Sequence, residues 1–104
     1  MNVALTLSDQ AQGQFLGSRQ RGLVMRHQLE ELLDRNGQVE IDFTGTSATQ
    51  SFVDELVGVL IYQHGPSLLK RLSFKGCSSD VRAVIKLVAQ ERAKDYTLRH
   101  HQEH

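Results

Sequence analysis

Hydroxyl-bearing side chains crowd into two stretches of this 104-residue chain, TGTSATQS at Thr44–Ser51 and GCSSD at Gly76–Asp80. Each is followed by apolar residues at helical spacing, so each reads as a loop entering a helix. Free backbone N–H groups and hydroxyls at such a place can meet an anion. A serine there can also accept a phosphate, which adds about two negative charges. Ser51 is the strongest acceptor candidate. Thr46, Ser47, Thr49 and Gln50 precede it, Asp54 and Glu55 follow it, and Ser78 and Ser79 lie in the second loop. Together they form the set that a partner or ligand would touch. The plainer account of the same residues is N-capping, which Ser and Thr do at many helix starts. Ser51 with Asp54 has the spacing of a capping box, although Glu or Gln is the usual closing residue.

Other chemistry is weakly supported. Asp42, Asp54 and Glu55 are carboxylates that acid–base catalysis would need in one cleft. Asp42 is expected to point away from the helices, while Asp54 and Glu55 flank a cap. His100, His101 and His104 cluster at the end of the sequence, but zinc requires a fixed tetrahedral ligand set and these fall in an expected fraying tail. Cys77 stands alone, with no CxxC partner and no nearby His, so a structural thiol is expected. No GxGxxG or GxxxxGK[ST] phosphate loop occurs. These observations predict a protein with no catalytic residues, no metal and no cofactor, and not an enzyme.

The elements that must position the loops follow from periodicity. Val3, Leu5 and Leu7 alternate with polar or small residues and predict a first strand. Ser8–Gly13 reads as a turn, and Gln14-Phe15-Leu16 as a second strand antiparallel to the first. Ser18 predicts a helix N-cap, with Met25, Leu29, Leu32 and Leu33 on its buried face. Asn36-Gly37 should end that helix in a left-handed conformation. Gly22, costly inside a helix, predicts close approach of a neighbour. Arg19, Arg21, Arg26 and Arg35 make this helix locally basic, offset by Glu30, Glu31 and Asp34.

Val39, Ile41 and Phe43 form the apolar side of a strand. The helix from Ser51 carries Phe52, Val53, Leu56, Val57, Leu60 and Ile61, and should be the most buried until Gly65-Pro66 stops it. Leu72 and Phe74 mark a last strand. A helix capped by Ser78 or Ser79 carries Val81, Val84, Ile85 and Val88. The strands are apolar on one side only, unlike parallel strands covered on both faces. Right-handed crossovers that keep one direction place every helix on one face. The predicted fold is therefore α/β: a small mixed, mainly parallel sheet with three helices on one face. Glu40, Asp42, Arg71, Ser73 and Lys75 would line the other face.

A chain of 104 residues suits one domain, with a core at about 2–96 and a polar tail at 97–104. Twelve acids balance twelve bases, which argues against general nucleic-acid binding. Near-zero charge and an open polar sheet face make a homodimer reasonable. The N-terminal stretch lacks the basic region and long apolar run of a signal peptide. No apolar segment reaches the ~20 residues that span a bilayer. A cytoplasmic location is expected.

With these elements in place, VEIDFTGTSATQSFVDELVGVL resembles the core motif of a STAS-like family of uncharacterised bacterial proteins. Asp42-Phe43, Gly45, Ser51-Phe52, Asp54-Glu55-Leu56 and Gly58 carry the likeness, with Ser18-Arg19 before the first helix. The stretch is more distantly similar to anti-sigma factor antagonists, in which a serine at this helix start is phosphorylated by a partner kinase and the phosphate breaks their binding. Ser51 is in register within Gln50-Ser51-Phe52-Val53, but the preceding Asp and the following Gly of that motif are missing. The resemblance implies a regulatory protein-interaction module, with a histidine-kinase-like ATPase or another signalling protein as partner and Ser51 as switch. The alternative is a sensor binding a nucleotide or anion at the N-termini of the second and third helices.

Overall fold

The computed structural model describes residues 3–9 and 15–101. Within them the chain forms strands β1 (Val3–Thr6), β2 (Phe15–Leu16), β3 (Val39–Asp42), β4 (Ser47–Ala48) and β5 (Leu72–Lys75). Helix α1 spans Arg19–Arg35 and α3 spans Ser79–His101. Between them α2 is composite: α-helical turns at Gln50–Val53 and Val59–His64 flank a π-helical segment, Asp54–Gly58. Short 3-10 segments occupy Leu7–Asp9 and Pro66–Arg71. The rest of the predicted 8–13 turn, Gln14 and His104 lie outside the described residues.

One sheet has the order β1-β3-β5, all parallel. Val3 pairs with Val39 and Leu5 with Ile41; on the other side Val39 pairs with Leu72 and Ile41 with Phe74. Both crossovers step the same way, which keeps the helices on one face as the alternation predicts. Leu5, Val39, Ile41 and Leu72 are buried beneath them. Ala4, Ser73 and Lys75 are exposed on the opposite face, with Glu40 and Asp42 half-buried. Phe52, Val53, Leu56, Val57, Leu60 and Ile61 of α2 are each at most 1% exposed, so α2 is the centre of the core as expected. Fully burying side chains of this size contributes about 1.5–3 kcal/mol apiece relative to exposure.

Four local expectations are corrected. β2 does not pair antiparallel with β1; it pairs parallel with β4. The Thr49 N–H donates to the Leu16 carbonyl at 2.9 Å and the Thr49 hydroxyl to the Gly17 carbonyl at 3.1 Å, tying this segment to the entrance of α2. Second, neither Asn36 nor Gly37 is left-handed. Asn36 is extended, its amide donating to Leu32 O at 2.9 Å.

Third, Arg71 leaves the sheet face and closes α1. Its Nη2 donates to Leu33 O at 2.6 Å and Asn36 O at 3.0 Å, and its Nε to Gly37 O at 3.0 Å. These bonds satisfy carbonyls that a helix end leaves bare, with a cation at the favourable end of the dipole. Fourth, α3 stays helical through His101 instead of fraying from Thr97. Replacing Arg71 with alanine should cost about 1–2 kcal/mol, since it removes three hydrogen bonds from a charged donor. A urea unfolding midpoint unchanged from wild type would refute this capping role.

Candidate functional site

β3 and β5 end side by side, with Asp42 opposite Lys75 and the Phe43 N–H donating to Lys75 O at 2.8 Å. The two hydroxyl-rich loops therefore leave the sheet together, as their places in the sequence imply. Gly45 and Gly76 turn the backbone at φ 74° and 69°. Gly76 lies so close to Thr44 that a Cβ would sit 2.8 Å from the Thr44 Cα and N. Between the loops is a shallow depression of about 630 Å³, lined by Gly45, Thr46 and Ser47 on one side and Gly76, Cys77 and Ser78 on the other.

Many hydroxyls of this region have structural partners. Thr46 is buried and donates to Phe43 O at 2.7 Å. Thr49, not Ser51, caps α2, its oxygen accepting from the Phe52 N–H at 3.2 Å. Ser78 caps α3 by accepting from the Val81 N–H at 3.1 Å. Ser47, Gln50, Ser51 and Ser79 are exposed. Ser51, in the first turn of α2, therefore has no capping duty. Asp42 accepts from the Thr44 N–H at 2.9 Å, and the bonds from Thr44 hold its carboxyl below the usual range. Burial pushes the half-buried Cys77 thiol up, which disfavours the thiolate.

Asp54 and Glu55 leave the loop surface for an ionic brace among the helices. Asp54 is buried. Arg92 of α3 grips it with both prongs, Nε to Oδ1 at 2.7 Å and Nη2 to Oδ2 at 2.8 Å. Arg19 of α1 adds Nη1 to Oδ2 at 2.9 Å. Glu55 meets Arg19 at 3.3 Å and Arg26 at 3.5 Å. The guanidinium of Arg92, followed by that of Arg19, holds the Asp54 carboxyl below its ordinary range against the opposing effect of burial. The Phe52-Val53-Asp54-Glu55-Leu56 run thus combines apolar anchors with a cross-brace that fixes the loop end of α2.

Close backbone seats complete the brace. A Cβ on Gly22 would lie 2.8 Å from Phe52 O and 2.8 Å from the Glu55 Cβ, so Gly22 is where α1 touches α2, as its cost in a helix predicted. Arg92 is the residue that sequence reasoning missed. It continues the buried stripe Val81, Ile85, Val88 at helical spacing. A charged residue on such a stripe signals a buried counter-charge. Among the described residues no group of three His, Cys, Asp or Glu side chains is placed to hold a metal, and no helix is long and apolar enough to cross a membrane.

A parallel sheet covered by helices on one side, with a hydroxyl-rich loop running into its central helix, defines a STAS-like α/β module. A family model described as a STAS-like domain of unknown function (DUF4325) matches residues 22–82, more than half of the chain. The chain belongs to that family. No curated protein and no solved structure matches it. Arg19 and Arg92, the partners of Asp54, both lie outside the matched residues.

Proposed function

We propose that this chain is a non-enzymatic regulatory module that binds a protein partner through the loop before α2 and the exposed first turn of that helix. Ser51 is its switch. One observation carries this reading: Thr49 performs the capping, leaving the Ser51 hydroxyl exposed at a fixed helix end. A phosphate there would add about two negative charges to the surface that a partner meets. The brace beneath, from Asp54 and Glu55 to three arginines, keeps that surface in one orientation. A histidine-kinase-like ATPase or another signalling protein is the partner class that goes with a STAS-like module. A homodimer through the open sheet face is compatible with it.

The ligand-sensor reading has less to work with. The depression between the loops is open, and the hydroxyls of Thr46 and Ser78 on its walls already serve the backbone. The test is affinity capture from host lysate with the whole chain, mass spectrometry of Ser51, and titration of the captured partner. Ser51→Ala should bind as wild type does, and Ser51→Asp about tenfold more weakly or worse. Equal binding by both variants would remove Ser51 as the switch.

A further inference from the structure

A second cleft lies at the opposite end of α2 from the loops. Its volume is about 380 Å³, at the small end of the range for ligand pockets. Sequence spacing assembles it. Glu30, Leu33 and Asp34 share one face of α1, Leu60 and His64 one face of α2, and Ser67, Leu68 and Arg71 come from the 3-10 segment. The floor is apolar, with Leu33, Leu60 and Leu68 at 8%, 1% and 6% exposure.

The cleft is lined by both acidic and basic side chains. On the α1 side Asp34 occupies the last turn, where the helix dipole disfavours a carboxylate. Asp34 has no ion pair among the described residues, and Glu30 meets only Arg26, at 3.9 Å. Arg71 reaches from the 3-10 segment to the end of α1, where three carbonyls fix it through Nε and Nη2, leaving Nη1 without a partner among the described residues. A guanidinium already held in place presents its remaining N–H groups at little entropic cost. His64 adds an exposed imidazole to the same cleft.

We propose that this cleft binds a small zwitterionic amino acid with an aliphatic side chain. Its ammonium group meets Glu30 and Asp34, its carboxylate meets Arg71 and His64, and its side chain covers the leucine floor. Neither kind of charge alone satisfies such a ligand, so both charges and the apolar group are required together.

The test is a backbone-amide NMR titration of the whole chain with L-leucine. Isoamylamine, isocaproic acid and glycine serve as probes that each lack one of the three features. Saturable shifts should appear at Leu33, Asp34, His64 and Ser67 with leucine. Each partial probe should bind about tenfold more weakly or worse. Asp34→Asn, at an exposed position, should weaken leucine about tenfold while leaving isocaproic acid unchanged. Arg71 is left intact because it also closes α1. No saturable shift with leucine up to about 20 mM, a response to one partial probe equal to that of leucine, or an unchanged Asp34→Asn would each overturn the proposal.

Discussion

Asp54→Ala should destabilise the domain by about 3 kcal/mol, the cost of stranding a partly buried cation when its partner is removed. Arg92 loses two bonds of 2.7 and 2.8 Å, and Arg19 loses its shorter contact. Arg19→Ala should cost less than about 1 kcal/mol, because an exposed ion pair is screened; the Arg19 side chain is 55% exposed against 13% for Asp54. This asymmetry distinguishes a brace from a general charge effect. Chemical denaturation of the two variants measures it, and equal losses would contradict the assignment. A double variant with leucine at 54 and methionine at 92 should recover much of the loss, since apolar replacement of both partners removes the stranded charge.

The brace also fixes the sign of a pH response. The Asp54 carboxyl is depressed in the folded state, chiefly by Arg92. Folding therefore favours the ionised form. The stabilisation is complete above the ordinary aspartate range and is lost as pH falls through the depressed folded value. Wild type should lose stability on acidification faster than the leucine–methionine double variant. Parallel curves would place the acid sensitivity elsewhere.

Patterns with a short period were legible in the sequence. Six apolar side chains at helical spacing located α2, and one-sided alternation located β1, β3 and β5 with their helix-free face. What stayed hidden was decided by distant partners. In Thr49-Gln50-Ser51 three polar residues compete for the cap, and Thr49 wins because Leu16 and Gly17 bond its backbone and hydroxyl across the fold. β2 departs from the hairpin expectation for the same reason, since its partner is the loop entering α2 and not its neighbour in sequence. The C-terminal end of α1 carries Asn-Gly, which normally suffices to stop a helix, yet Arg71 from 35 residues away does the closing. The π-helical turn has no periodic signature, because one widened turn does not alter which residues are apolar.

That turn leads to the second large effect, expected for Gly58→Ala. Gly58 has ordinary helical angles, φ −61° and ψ −44°. Alanine fits the backbone, and in an exposed helix it would stabilise by about 1 kcal/mol. Here the added methyl collides with the Asp54 Oδ1 and comes within 2.9 Å of the Val88 Cγ1 and 3.2 Å of the Arg92 Cγ. Either α3 retreats from α2 or the carboxylate leaves its guanidinium. Overpacking at such a seat costs about 1–3 kcal/mol, so the net change should be a loss despite the better helix former. Gly37→Ala, with nothing within 4 Å of the new methyl, should change stability little. A double-mutant cycle gives the sharper readout. In an Asp54→Ala background the colliding oxygen is gone, so Gly58→Ala should cost less by about 1 kcal/mol. Strict additivity would mean that Gly58 serves the helix contact independently of the brace. Coupling would tie the glycine, the π-helical turn and the Asp54–Arg92 pair into one device that sets how the first turn of α2, and Ser51 with it, is presented.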